Sequence, residues 1–209
     1  MDQEVINLYK AKIRQQEAGV QRYKLNVTLS QAEELLDTCY QVIVSRRRIE
    51  FKADASYKRY LRQCSRWLTE LNSPGLLLYG NYGAGKTTMG KAISLLLSNM
   101  GAPIKSIIAR DIATLAGMDP EAFLSLKRES MLYIDEVGRE PLVANNYGNQ
   151  KSPFIEMLEY RYDRQMFTIL TANLTDQEII DRYGMYIDER IAENFDKINY
   201  ENKSYRTGR

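Results

Sequence analysis

The spacing of apolar positions changes character once along this chain, near residue 75. Before it the pattern is helical. Val5, Leu8, Tyr9 and Ile13 recur at helix spacing within an otherwise polar stretch from 2 to 16. Ser30-Gln31-Ala32-Glu33 reads as a capping box that opens a second helix through Leu35, Leu36, Tyr40 and Val44. Arg46-Arg47-Arg48 closes it, where the helix dipole favours positive charge. A third helix starts at Asp54-Ala55, places Tyr57, Tyr60, Leu61, Cys64, Trp67, Leu68 and Leu71 on one face, and is broken by Asn72-Ser73-Pro74-Gly75. After it, short apolar runs alternate with amphipathic ones. Strands are predicted over 76–79, 104–109, 131–134 and 167–170, with a weaker one over 197–200. Helices are predicted over 86–99, 120–129, 153–163, 175–182 and 187–194, and none over 101–119. The stretch 137–152, with Asn145-Asn146-Tyr147-Gly148-Asn149, reads as a mobile loop. This alternation predicts an α/β fold: a parallel five-stranded sheet flanked by helices, preceded by a small helical segment. The expected division is 1–53 for the helical segment and 54–209 for the α/β domain.

Composition narrows the chemistry. The chain has 209 residues, 44% of them hydrophobic, which is enough for a substantial core. A formal charge of +2 restricts any nucleic-acid contact to a local patch. There is no histidine, so His-based acid/base chemistry, His metal ligands and Ser-His-Asp triads are excluded. Cys39 and Cys64 are the only cysteines and lack C-x-x-C spacing, which argues against zinc and for reduced thiols in the cytoplasm. The acidic start Met1-Asp2-Gln3-Glu4 has no signal-peptide core, and no run approaches the ~20 apolar residues of a membrane span.

The most informative segment is Gly80-Asn81-Tyr82-Gly83-Ala84-Gly85-Lys86-Thr87-Thr88, between a predicted strand and a predicted helix. That context turns a G-x-x-x-x-G-K-[ST] match into a P-loop. The glycines let backbone N–H groups approach a triphosphate, and the helix start adds its positive end. Lys86 supplies charge toward the β/γ-phosphates and Thr87 a hydroxyl for Mg²⁺. Met131-Leu132-Tyr133-Ile134-Asp135-Glu136 then reads as a Walker B strand. Asp135 is expected to orient Mg²⁺ with Thr87, and Glu136 to act as base on the attacking water. The adjacent glutamate favours an ATPase over a kinase, whose nucleophile comes from its substrate. The strand 167–170 runs on into Thr171-Ala172-Asn173. Asn173 is expected either to hold the attacking water or to cap the helix after it.

Together, GxxGxGKTT, the IDE strand end, the TAN-Leu-Thr strand end, Arg182-Tyr183-Gly184, Asp188-Glu189-Arg190 and Lys203-Ser204-Tyr205-Arg206 resemble AAA+ ATPases. Within that group they are similar to DnaC/DnaI-like helicase loaders and IstB-like transposition helpers, over about residues 55–206. The resemblance implies that Asn173 is the sensor 1 residue, that Arg190 is an arginine finger acting on ATP of a neighbouring subunit, and that Arg206 is the sensor 2 arginine. It further implies Mg-ATP as cofactor, self-association, and a helicase or transposase as protein partner, with single-stranded DNA as a further one. The chain departs from the family in lacking an extra helix within 101–119, in carrying Tyr186 where relatives often have a basic residue, and in lacking N-terminal zinc ligands.

Fifteen tyrosines, several beside basic residues as in Tyr57-Lys58-Arg59-Tyr60 and Tyr160-Arg161-Tyr162, suit either stacking on single strands or a wet core edge. Arg46-Arg47-Arg48 with Lys52, Lys58, Arg59 and Arg62 forms the densest basic region. The reading that follows is a cytoplasmic AAA+ ATPase assisting DNA replication in the manner of a helicase loader. An IstB-like helper, a small-molecule phosphotransferase and a nucleotide-gated adaptor are its rivals.

Overall fold

The computed structural model describes residues 2–17, 23–46, 51, 53–70, 73–142, 144–146 and 149–205, with side chains from 13–17, 144–146 and 149–151 left aside. Arg47, Arg48, Lys52, Leu71 and Arg206 lie outside the described residues. Three helices come first: α1 (Gln3–Glu17), α2 (Leu29–Ser45) and α3 (Ala55–Glu70). Then follow β1 (Gly75–Gly80), α4 (Lys86–Asn99), β2 (Lys105–Ile108), α5 (Ala109–Met118), α6 (Pro120–Arg128) and β3 (Met131–Val137). The chain continues through β4 (Ala144–Asn146), β5 (Asn149–Lys151), α7 (Pro153–Asp163), β6 (Phe167–Ala172), α8 (Asp176–Tyr183), α9 (Met185–Asn194) and β7 (Phe195–Tyr200).

Five strands form one parallel sheet in the order β2-β3-β6-β1-β7. The predicted α/β class and five-stranded parallel sheet are therefore found. Strand alternation divides the core. Leu76 and Leu78 face a layer containing α2, α3 and α4, where Leu36, Tyr40, Trp67 and Met89 are buried. Leu77 and Tyr79 face the opposite layer, with Ile112, Phe123, Met157, Ile179 and Ile187 from α5 to α9. Both faces of the sheet are covered, which is why its strands read as continuous apolar runs. The second helix lies N-terminal to the expected division at 53/54, yet it shares this core with the sheet: Ala32, Leu36 and Tyr40 are buried within it.

Several expectations need correcting. The capping box of α2 is Thr28 with Gln31, two residues before the predicted one; Thr28 Oγ1 accepts from the Gln31 amide at 3.3 Å. The second strand ends at Ile108, and Ala109 begins α5, a helix absent from the sequence reading. Its buried face is Ala109, Ile112 and Ala116, and small alanines beside Gly117 give a weak periodic signal. The stretch 137–152 contains the end of β3 and the antiparallel pair β4–β5. Before α8, Thr175 is the N-cap, with Glu178 completing a capping box, so Asn173 does not hold that role. Among the described residues no helix is long and apolar enough to cross a membrane.

Candidate active site

The site is assembled where β1, β3 and β6 end at the same edge of the sheet. Parallel pairing in register, Leu78 beside Thr171 and Ile134 beside Leu170, brings the ends of these strands together. After β1 the backbone turns through Gly80, Gly83 and Gly85, all with positive φ, into the start of α4. Gly85 is the N-cap at φ 103°, a conformation strained for any side chain, and a Cβ there would stand 2.7 Å from the Tyr40 hydroxyl. A Cβ on Gly83 would meet Ser204 Oγ at 2.1 Å. These glycines therefore answer to the loop's own fold and neighbours.

Lys86 is 4% exposed, and its ammonium donates to Gly80 O at 2.8 Å and Asn81 O at 2.5 Å. Thr87 Oγ1 donates to Asp135 Oδ1 at 2.9 Å. The same carboxylate oxygen accepts from the buried Thr171 hydroxyl, which in turn accepts from the Glu136 amide at 3.0 Å. Burial first, and the neighbouring Asp135 charge second, hold the Tyr133 phenol protonated well above its ordinary range. Thr171 was not singled out from sequence. Its signal was there: a polar residue near the C-terminal end of a mostly apolar strand.

Glu136 occupies a left-handed backbone position at φ 59°, beside an irregularity in the β3–β6 ladder between Ile134 and Val137. A non-glycine residue there costs about 1–2 kcal/mol. Its carboxylate pairs with Arg139 Nη1 at 3.1 Å. Asn173 lies half-buried just past the end of β6.

The loop is held from outside by the chain's C-terminal end. The Asn81 amide donates to Tyr200 O at 2.8 Å, Asn81 Nδ2 to Glu201 O at 2.9 Å, and the Tyr205 amide to Gly83 O at 3.0 Å. The Tyr205 hydroxyl donates to Asp54 Oδ1 at 2.9 Å. Tyr82 stands 66% exposed at the loop, Ala84 is buried beneath it, and Thr88 is buried in the first turn of α4.

The residues fit magnesium and a nucleotide phosphate. Among the described residues no group of three or more His, Cys, Asp or Glu could enclose a metal. Mg²⁺ needs no such cage, since it takes one or two protein oxygens and completes its shell with phosphate and water. The converging Thr87 hydroxyl and Asp135 carboxylate supply hard oxygens of that kind.

Two arginines noted from the sequence, Arg190 and Arg161, pack against their own chain. Arg190, on α9, is only 17% exposed and lies against its own chain, 3.6 Å from Glu159 and 3.9 Å from Asp163. It stacks over Tyr162 at 4.7 Å and Tyr186 at 4.2 Å. Arg161, within the basic–aromatic run 160–162, is buried and cannot reach a nucleic acid.

The fold is shared with several solved structures. The chain is similar to the DnaC helicase loader (18% identity, TM-score 0.57, covering 73% of this chain and 94% of that one). It is similar to DnaI (20% identity, TM-score 0.58, covering 72% and 87%). It is also similar to AMPPCP-bound DnaA from Aquifex aeolicus (18% identity, TM-score 0.56, covering 74% and 50%). At these identities the likeness establishes the α/β fold alone. No protein-family model and no curated protein matches the chain.

Proposed function

We propose that this chain is a Mg-ATP-dependent AAA+ ATPase of the helicase-loader kind, acting in DNA replication. One observation carries the reading: the hydrogen bond from Thr87, at the start of α4, to Asp135, at the end of β3, beneath a glycine loop that also presents Lys86. In this reading residues 80–88 hold the nucleotide phosphates through backbone amides, and Lys86 exchanges its loop carbonyls for phosphate oxygens. Thr87 and Asp135 hold the magnesium ion, whose contribution when bound is to neutralise charge on the phosphates. Glu136 accepts a proton from water and Asn173 orients that water, while the sensor 2 role of Arg206 rests on the sequence resemblance alone. Arg190 then serves a neighbouring subunit after leaving its pocket between Tyr162 and Tyr186.

The partner surface is assigned to the N-terminal segment. Because α2 buries Ala32, Leu36, Tyr40 and Val44 in the core, the element assigned to a helicase is α1, where Val5, Leu8 and Tyr9 are exposed at helix spacing. The loader reading is preferred to a transposition helper because the DnaC helicase loader and DnaI share the fold.

Calorimetry with Mg-ATP tests the core of the proposal. Binding in the wild-type chain and its loss in Lys86→Ala are expected; equal affinity in both discards the site. Recovery of a hexameric helicase by the Glu136→Gln variant in the presence of ATP tests the partner, and recovery of a transposase in its place decides for the IstB-like alternative.

A further inference from the structure

Glu140 is among the most deeply buried charged groups in the molecule, at 2% exposure, and the mechanism above does not use it. Its carboxylate is fully engaged. Oε2 accepts from the Gly138 amide at 2.9 Å. Oε1 accepts from the Tyr183 hydroxyl and lies 3.4 Å from Arg182 Nε. The Glu140 carbonyl accepts from Arg182 Nη2. The donors come from two places: the turn just after Glu136, and the last turn of α8.

That turn is held in an unusual shape. Glu136 and Gly138 both have positive φ, and a Cβ on Gly138 would stand 2.8 Å from Leu174 Cδ1. The Arg139 amide donates to Glu136 O at 3.2 Å, closing the turn on itself. Upstream, the Glu136 amide is fixed on Thr171. Downstream, the anchor is Glu140. Clamps at both ends of the five-residue stretch 136–140 constrain the backbone from which the Glu136 carboxylate projects. Burying a carboxylate is costly unless donors surround it, and apolar residues of like volume are often as stable. Fold stability alone is therefore a weak account of a carboxylate at this place.

We infer that Glu140 is a positioning residue: by clamping the Gly138 amide to Arg182 and Tyr183 it aims Glu136 at the attacking water and makes that aim depend on the position of α8. This rests on the ATPase reading of the site. Since α8 leads through Gly184 into α9, which carries Arg190, a shift of this helix pair moves Glu140 and with it Glu136. A displacement on the order of 1 Å in such a constellation is enough to cost about a hundredfold in rate.

The test compares the full-length wild type with Glu140→Gln and Tyr183→Phe. For each, Mg-ATP affinity is measured by calorimetry, single-turnover hydrolysis by phosphate release, exchange of the 136–139 amides by NMR, and folding by thermal melting. Expected is a drop in turnover of about tenfold or more in Glu140→Gln. ATP affinity should stay within about twofold, and the 136–139 amides should exchange faster. Tyr183→Phe, which keeps the ring and removes one donor, should shift the same quantities in the same direction by less. If Glu140→Gln melts out, the folded Tyr183→Phe protein decides. Unchanged turnover in a folded variant, or affinity and turnover falling in parallel, overturns the inference while leaving the ATPase reading intact. A wild type that binds no nucleotide overturns both.

Discussion

Thr87 and Asp135 are separated by 48 positions in the chain and by a single 2.9 Å hydrogen bond in space. Thr87 is in the first turn of α4, Asp135 at the end of β3, and β6 lies between β3 and the strand that leads into α4. Thr171, from that intervening strand, donates to the same Asp135 oxygen. One carboxylate thus fastens three elements, and its direction is fixed by α4 and the sheet. Such fixed oxygens suit a small, geometrically demanding cation.

Asp135→Asn should separate metal from nucleotide. With Mg²⁺ present, ATP affinity or turnover should fall by at least about tenfold, a loss of roughly 1.4 kcal/mol or more. With the metal chelated, affinity should match the wild type. Titrations with and without Mg²⁺ check this, and equal losses in both would assign Asp135 to folding alone. Thr171→Val, which leaves the Glu136 amide without its acceptor, should lower turnover more than affinity.

Lys86 and Glu136 should divide binding from chemistry. Lys86→Ala removes a charge aimed into the loop and should reduce ATP affinity strongly. Glu136→Gln keeps the shape and should bind ATP at wild-type affinity while hydrolysing about 10²–10⁴-fold more slowly. Because Arg139 sits 3.1 Å from the Glu136 carboxylate, Arg139→Ala should leave affinity unchanged and alter turnover. A Glu136→Gln protein turning over at the normal rate would remove this residue from the mechanism.

What could be read from the chain depended on the range of the interaction. The glycine loop, the strands and most helices were legible because their signals are local: positive-φ glycines, apolar runs, periodic faces. Helix α5 was not, since Ala109 and Ala116 bury a face that carries little apolar contrast. Thr171 and Glu140 were missed because their partners are chosen by strand register and by the docking of α8, at separations of 36 and 43 residues. Tyr40 and Tyr205 both reach Gly85 from segments far apart in the chain, which no window of sequence displays.

Arg190→Ala should report on assembly. In this chain the guanidinium rests between Tyr162 and Tyr186, near Glu159 and Asp163. Half-buried contacts of that type contribute on the order of 1 kcal/mol, so the variant should lose modestly in stability. If Arg190 also acts across subunits, wild-type turnover per subunit should rise with protein concentration, and the variant's should not, with ATP binding spared. A flat concentration dependence in the wild type would restrict Arg190 to its own chain.

The last prediction concerns Arg161, which is 1% exposed and contacts no carboxylate through a hydrogen bond among the described residues. Nε donates to Thr168 Oγ1 at 2.9 Å. Nη1 donates to Glu129 O at 2.7 Å and Lys127 O at 3.2 Å, and Nη2 to Phe167 O at 2.7 Å. Burial lowers its pKa to about 10, so keeping the charge inside opposes folding at neutral pH and must be offset by these bonds. The acceptors include carbonyls at the C-terminal end of α6, where the helix dipole favours a cation. Arg161 therefore pins α6 to the start of β6, the strand that carries Thr171 to the site. Arg161→Met preserves the aliphatic stem and strands three carbonyls, each unpaired group costing about 1–3 kcal/mol. Urea unfolding should show a loss on the order of 3 kcal/mol or more. Arg161→Lys should fall between the two, because one ammonium cannot match the planar fork. An Arg161→Met protein with the wild-type urea midpoint would show that the guanidinium contributes nothing to holding α6 against the sheet.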